Sequence, residues 1–322
     1  MMDAVYFEQH GGPEVLRYGP RPTPRPAPDQ VLIEAHAVGV NPRDWMLRQG
    51  TYVGRPLVGR LPIIPGSDVS GVVAEVGEKV QGFTVGDEVF AMQSQLGHMG
   101  GYAQYMAVKA SCVALKPKEI SHVAAAAVPV AGLTAWQSLF GIARIGPGDK
   151  VVVVGASGGV GHYAVQLAHH AGAHVTAVCS TANADFVRGL GADEVIDYTT
   201  QQFTDVVSGQ DLVFDTLGKE SLDSCRDVLK RDGLYITTVP DLGTIARWAQ
   251  TSLRSRILGG QRASVITVKA RGNELSELAD LMVHGHLRSV VDSVYPLTDA
   301  AEAHRKSRTF RTRGKLVLQV RD

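Results

Sequence analysis

Residues 151–161 read Val-Val-Val-Val-Gly-Ala-Ser-Gly-Gly-Val-Gly, an apolar strand that runs straight into a glycine-rich turn and then into a helix. Small residues let the backbone turn tightly and approach a pyrophosphate, and Gly161 lets the helix pack close to the strand. The helix N-terminus then offers unpaired N–H groups and the positive end of its dipole. The pattern predicts a dinucleotide phosphate held at Ser157, Gly158, Gly159 and Val160. A glycine pattern alone also suits a tight turn with no ligand; the strand before and the amphipathic helix after carry the reading.

Which dinucleotide is decided near the end of the second strand, where a carboxylate about 20 residues past the loop would bond the ribose of NAD. Here the chain reads Cys179-Ser180-Thr181-Ala182-Asn183, without an acid. A 2′-phosphate would meet hydroxyls and no repelling charge, so NADPH is favoured, with Ser180 at that end of the cofactor. If the strand runs longer, Asp185 takes the carboxylate role instead. Cys112, Cys179 and Cys225 are far apart and form no C-x-x-C pair, which supports neither a disulfide framework nor a cysteine-rich zinc module. The 11 histidines are scattered, and His169-His170 and His284/His286 read as solvated positions rather than metal ligands.

The elements that position these residues fall into two textures. Residues 31–40, 69–76, 88–92 and 102–108 are short β-rich pieces separated by Gly, Pro and Asp clusters, as in a compact barrel or sandwich. Beyond about residue 118, strands at 150–154, 174–179, 194–196, 212–215 and 234–239 alternate with helices, as in a parallel sheet covered on both faces. Val160, Ala164, Leu167 and Ala171 share one helix face toward that sheet, with His162, Gln166, His169 and His170 on the other. A helix over 273–284, a short helix over 299–305 and a strand over 315–320 end the chain. If that strand returns to the first domain, the domain is discontinuous: 1–117 with 271–322, around 118–270.

The 322 residues suffice for two domains, and 32 basic residues balance 32 acidic ones, so no strong field invites nucleic acid or an anionic membrane. A small, roughly neutral ligand is the expected partner. The start of the chain lacks the basic-then-apolar pattern of a secretory signal, and the apolar run at 123–133 is broken by Pro129 and Gly132 and is short of a membrane span. A reducing, cytoplasmic setting is expected.

With those residues placed, the sequence resembles the medium-chain dehydrogenase/reductase superfamily, in its zinc-free quinone oxidoreductase branch that includes zeta-crystallin. The resemblance rests on the segments at 39–44 (Gly-Val-Asn-Pro-Arg-Asp), 50–52 (Gly-Thr-Tyr), 65–73, 85–90, 131–136, the glycine loop and 190–198. It implies an α/β protein with a GroES-like β-rich catalytic domain plus a Rossmann doubly wound parallel-sheet domain, and a nicotinamide entering the cleft between them. Zinc-dependent relatives carry a cysteine at the position of Asn41, a His-Glu pair at that of Ser67-Asp68, and a four-cysteine cluster absent here. Catalytic zinc takes about three such ligands, so no metal is expected.

Without a Lewis acid a saturated alcohol is a poor substrate, whereas hydride addition to an enone or quinone puts the developing charge on an oxygen that hydrogen-bond donors can hold. The resemblance implies Asn41 as such a donor and Tyr52 as proton donor or orienter, with solvent as the alternative proton source. Asn41 also suits a turn before Pro42, and Asp44 the start of a helix. For the cofactor it implies Thr134 at the nicotinamide, Ser157 and Gly158 to Val160 at the pyrophosphate, Ser180 and Tyr198 at the adenosine end, and Lys315 as a contact from the last strand. Many relatives have a lysine near Asn183, where asparagine offers only a neutral hydrogen bond.

Two rival readings stay open: an enoyl-thioester reductase, and a non-catalytic NADPH-binding structural or interaction protein. The stretches 53–61, 93–100 and 240–260, with Arg55, Arg60, Arg247, Arg254 and Arg256, would decide the acceptor. A strand near 262–270 could extend its sheet across a homodimer.

Overall fold

The computed structural model describes all residues except 53, 55–58, 95–98, 240, 241 and 322, and for residues 242 and 252–258 the backbone alone. Arg55, Arg254 and Arg256, three of the arginines singled out above, therefore lie outside the described side chains. The chain forms two compact units, Met1–Leu133 with Lys269–Asp322, and Thr134–Val268.

The first unit opens with strands β1 (Met2–Tyr6), β2 (Arg17–Arg21) and β3 (Gln30–Val40), helix α1 (Pro42–Gln49), then β4 (Asp68–Val76), β5 (Glu88–Met92), β6 (Tyr105–Lys109) and β7 (Val113–Leu115), with helices α2 (His122–Ala126) and α3 (Pro129–Trp136) following. The second unit holds β8 (Lys150–Val154), α4 (Gly161–His170), β9 (His174–Cys179), α5 (Ala184–Arg188), β10 (Glu194–Asp197), α6 (Phe203–Val206), β11 (Gln210–Asp215), β12 (Leu229–Thr237), α7 (Leu242–Leu258) and β13 (Arg262–Val265). The chain then returns with α8 (Gly272–Val283), β14 (Val291–Pro296), α9 (Ala300–Arg308) and β15 (Lys315–Gln319).

In the first unit β14-β15-β3-β4-β5-β7 form one sheet, with β6 also paired to β3. Val31, Ile33 and Ala35 alternate into its core with Val69, Val73 and Val89, the period-two pattern that a half-buried strand requires. The terminal strand does return: β15 lies antiparallel to β3, with Leu316 opposite Val40. The first boundary falls at 133/134 rather than 117/118. The reason is α2, whose Ala125 and Ala126 are fully buried and which packs on β3 and β4. Tyr102 precedes β6 instead of opening it, and its ring is buried.

In the second unit six parallel strands run β10-β9-β8-β11-β12-β13, the 3-2-1-4-5-6 order of a Rossmann sheet. The order reverses between β8 and β11, and the glycine loop leaves β8 at that point. Two details differ from the sequence expectation. No helix joins β11 to β12: Asp215 takes the N–H groups of Leu217, Gly218 and Glu220 on its carboxylate, and residues 222–228 stay in turns. On α4, His162 and Gln166 are buried along with Ala164 and Leu167, while His169 and His170 are exposed. His162 Nδ1 lies 3.0 Å from Gly158 O, which gives its polar edge a local partner. No described helix is long and apolar enough to cross a membrane.

Candidate functional site

The glycine-loop residues Ser157, Gly158, Gly159 and Val160 follow directly on the end of β8. Gly155 has φ +77°, and a side chain there would drive into Leu217 and Thr216 at 2.7 Å, so this turn admits only glycine. At Gly161 a Cβ would stand 2.1 Å from Gly155 O. Among the described residues the N–H groups of Ser157, Gly159 and Val160 donate to no protein acceptor, and all three residues are half-buried. A half-buried row of free donors at a helix start fits a phosphate.

At the end of β9, Asn183 Nδ2 donates to Ser157 Oγ at 3.1 Å and to Ser180 Oγ at 3.2 Å, which ties the glycine loop to the segment that follows the second strand. Asp185 sits on α5, beyond the end of β9 at Cys179, with its side chain 99% exposed and paired to Arg188 at 2.9 Å. The acid near this end is Asp197, at the tip of β10, and sequence spacing had not marked it. Its carboxylate accepts from the hydroxyls of Thr181 and Thr199, bonds that lower its pKa from the ordinary value. Tyr198 is 56% exposed beside it, and its N–H donates to Cys179 O. Thr134 is buried on α3.

Lys315 lies in the first unit, buried with Asn41 and Asp68. Lys315 Nζ donates to Asn41 Oδ1 at 2.5 Å and to Val40 O at 3.1 Å, and stands 3.6 Å from Asp68 Oδ2. Asn41 Nδ2 donates to Asp68 Oδ2 at 2.8 Å, and Val130 N–H to Asp68 Oδ1 at 2.9 Å. Burial pushes the Asp68 carboxyl up and the Lys315 ammonium down, and each opposes the other's shift by its charge. Gly39 makes the room: a Cβ there would meet Asp68 Oδ2 at 2.6 Å.

Asn41 also begins α1. Asp44, the third residue of that helix, accepts from the Asn41 N–H at 2.8 Å and from Tyr102 OH at 3.1 Å, and the Tyr102 hydroxyl lies 3.1 Å from His304 Nε2. Full burial raises the Asp44 carboxyl to about 6. Both readings of Asn41 and Asp44 thus coexist, since they start the helix and stand in the polar cluster. Next to them, Arg43 donates to Ser67 Oγ at 2.9 Å and its guanidinium lies 5.1 Å from the centre of the Tyr52 ring. Tyr52 is half-buried and packs on Phe7, Leu47, Ile63 and Met99.

These positions answer whether zinc fits. Where a zinc enzyme needs thiolate, imidazole and carboxylate, this chain has an amide, a hydroxyl already bonded to Arg43, and one carboxylate beside an ammonium. The donor set does not suit the metal, and a divalent cation would share its place with Lys315. Among the described residues no group of three or more His, Cys, Asp or Glu could hold a metal.

Residues 27–118 match the alcohol dehydrogenase GroES-like domain and residues 190–318 the zinc-binding dehydrogenase domain. The chain is 35% identical to the chloroplast envelope quinone oxidoreductase homolog of Arabidopsis thaliana, over 99% of this chain and 98% of the relative. Its fold is similar to the quinone oxidoreductase of Coxiella burnetii, with TM-score 0.91, 32% identity and 99% of both chains covered. It is similar also to mycobacterial Rv1454c complexed with NADPH, with TM-score 0.85, 30% identity and coverage of 99% and 100%. The chain belongs to the quinone oxidoreductase branch of the medium-chain dehydrogenase/reductase superfamily, and is an oxidoreductase of the nicotinamide-dependent kind.

Proposed function

We propose that this protein is an NADPH-dependent, zinc-independent reductase that delivers hydride to a quinone or an α,β-unsaturated carbonyl compound. The observation that carries the reading is the Lys315–Asn41–Asp68 cluster, which puts a fixed ammonium and an amide where related enzymes use a metal. NADPH supplies the hydride from its nicotinamide ring when bound. The free N–H groups of Ser157, Gly159 and Val160 hold its pyrophosphate, and Ser180, its oxygen held by Asn183, offers a hydroxyl donor to the 2′-phosphate. Thr134, Tyr198 and the loop residue Gly158 complete the expected cofactor contacts.

As hydride reaches the β-carbon of an enone, or the quinone ring, charge accumulates on the acceptor oxygen. Asn41 Nδ2–H stabilises it as a donor held in place before the reaction begins. Tyr52 delivers the proton, its ring steadied by the Arg43 guanidinium. A saturated alcohol is a poorer substrate in this reading, since the donors at Asn41, Ser67 and Asp68 do not suit a metal that would stabilise its alkoxide.

The test is loss of absorbance at 340 nm with chelator-treated protein, NADPH or NADH, and a panel of quinones, enones, enoyl thioesters and aldehydes. Turnover of a quinone or enone with NADPH preferred is expected. Activity that appears only with added zinc, or NADPH binding without any turnover, would sink the proposal. We also infer a cytoplasmic homodimer joined through β13, the edge strand of its sheet. Sedimentation and cell fractionation check those two points.

A further inference from the structure

We infer that Lys315 and Asp68 are positioning residues that fix which way the Asn41 amide faces, so that Asn41 offers its substrate an N–H and not its carbonyl oxygen. The inference rests on the proposed role of Asn41 as donor to the acceptor oxygen.

A primary amide carries donors on one arm and an acceptor on the other, and its two orientations have the same shape, so only the neighbours decide between them. Here both neighbours are unambiguous. An ammonium only donates and a carboxylate only accepts. Lys315 Nζ lies 2.5 Å from one arm of the amide, and Asp68 Oδ2 lies 2.8 Å from the other. Turning the amide over would set its NH₂ against the ammonium and its oxygen against the carboxylate. Both contacts would be repulsive, at buried positions where charge is poorly screened.

The clamp is itself anchored to backbone: Val40 O holds the ammonium at 3.1 Å and Val130 N–H holds the carboxylate at 2.9 Å. One Nδ2 hydrogen of Asn41 is thereby committed to Asp68, and the other is left as a donor of fixed direction. Stability alone does not explain the arrangement. Lys315 opens a strand whose next three residues, Leu316, Val317 and Leu318, are buried, and an apolar residue of that volume would avoid the desolvation of a buried ion pair. An orientation that apolar packing could not specify is the physical reason to keep both charges.

Because Val130 N–H fixes one oxygen of residue 68, the variant Asp68→Asn places its own NH₂ toward Asn41. Combined with Lys315→Met, which removes the opposing donor, it makes the inverted amide the favoured one without changing net charge or much volume. D68N/K315M is therefore expected to fold, to bind NADPH as the wild type does, and to lose kcat on the order of a hundredfold, the effect of removing one oriented donor.

N41A is expected to lose about as much, and the triple variant N41A/D68N/K315M no more than N41A, because the two residues act through Asn41. Losses that multiply in the triple variant would show a merely structural role and overturn the inference, as would D68N/K315M turning over within about threefold of wild type. Should the double variant not fold, D68N decides by side-chain amide exchange: loss of the carboxylate acceptor should leave the Asn41 amide protons less protected than in the wild type, and unchanged protection overturns the clamp.

If the wild type reduces none of the panel, the proposed function fails and the clamp is read separately by nitrogen-15 NMR. A side-chain amide proton absent in N41A should be protected from exchange in the wild type and unprotected in D68N/K315M. Equal exchange in the two would overturn the clamp.

Discussion

Substituting Gly161 by alanine should uncouple the glycine loop from its ligand. A Cβ at this position would lie 2.1 Å from Gly155 O, 2.8 Å from Ala156 Cα and 2.9 Å from Ala156 C, all backbone atoms that cannot swing aside. Since Cβ atoms rarely come closer than about 3 Å to anything, the loop or the start of α4 must retreat by about 0.9 Å. Such a shift stretches a hydrogen bond of ~2.9 Å past the ~3.2 Å at which N–H···O bonds end. Losing two bonds to a charged phosphate, at about 1.5–3 kcal/mol each, weakens binding by about 3–6 kcal/mol. That is a rise in NADPH Kd on the order of a hundredfold to ten-thousandfold. Overpacking should also lower stability by about 1–3 kcal/mol, so binding is measured in the cold, by nucleotide fluorescence, with circular dichroism as the check on folding. Gly146→Ala, outside the loop, is the control: a Cβ there meets nothing within 4 Å, and its Kd should match wild type. A G161A protein that binds NADPH within threefold of wild type would refute the argument.

Three further outcomes follow from buried and exposed charge. Burial raises the Asp44 carboxyl from its ordinary 3.8 to about 6, so the folded state keeps this proton longer than the unfolded one. Its contribution to stability therefore falls as pH rises from about 4 to about 6. At 1.36 kcal/mol per pH unit this is about 3 kcal/mol, and urea titrations should show wild type losing about that much relative to D44N between pH 4 and pH 7. Arg48 is fully buried, its guanidinium has no hydrogen-bond partner among the described residues, and burial lowers it to about 10. R48M should accordingly unfold at the same or a higher urea concentration, and a clear loss of stability would show that the charge has a partner. Removing the Asp197 charge with D197N should improve the ratio of NADPH to NADH affinity on the order of threefold at low salt, and an unchanged ratio would place the 2′-phosphate away from β10.

What the sequence made legible was contiguous. The glycine loop, the strand before it and the helix after it are adjacent in the chain, and the structure has β8 with the limits read from the sequence and α4 directly after the loop. Strand β5 and strand β9 likewise keep the ends that alternation and turn residues assign them. The clamp on Asn41 was not legible, because Lys315 lies 274 positions along the chain and Asp68 27, and no local pattern brings them together. One signal was available: a lysine at the head of an otherwise apolar strand, Lys-Leu-Val-Leu-Gln. The strand pairing of β15 with β3 takes that lysine to Asn41. The buried face of His162 and Gln166 escaped detection for a related reason, since polar side chains with partners one turn away read as solvated until their hydrogen bonds are seen. Between β11 and β12 the sequence showed an alternation of strand and helix, whereas the structure has turns, with Asp215 accepting from the N–H groups of Leu217, Gly218 and Glu220.

The most direct measurement of the central claim uses metal-stripped protein, its zinc content checked by elemental analysis, with an enone and NADPH carrying deuterium on the transferred position of C4. The account predicts turnover at the rate the untreated protein shows with the same deuterated cofactor, with deuterium recovered at the β-carbon of the product. No turnover until zinc is restored, or a product whose β-carbon carries no deuterium, would contradict it.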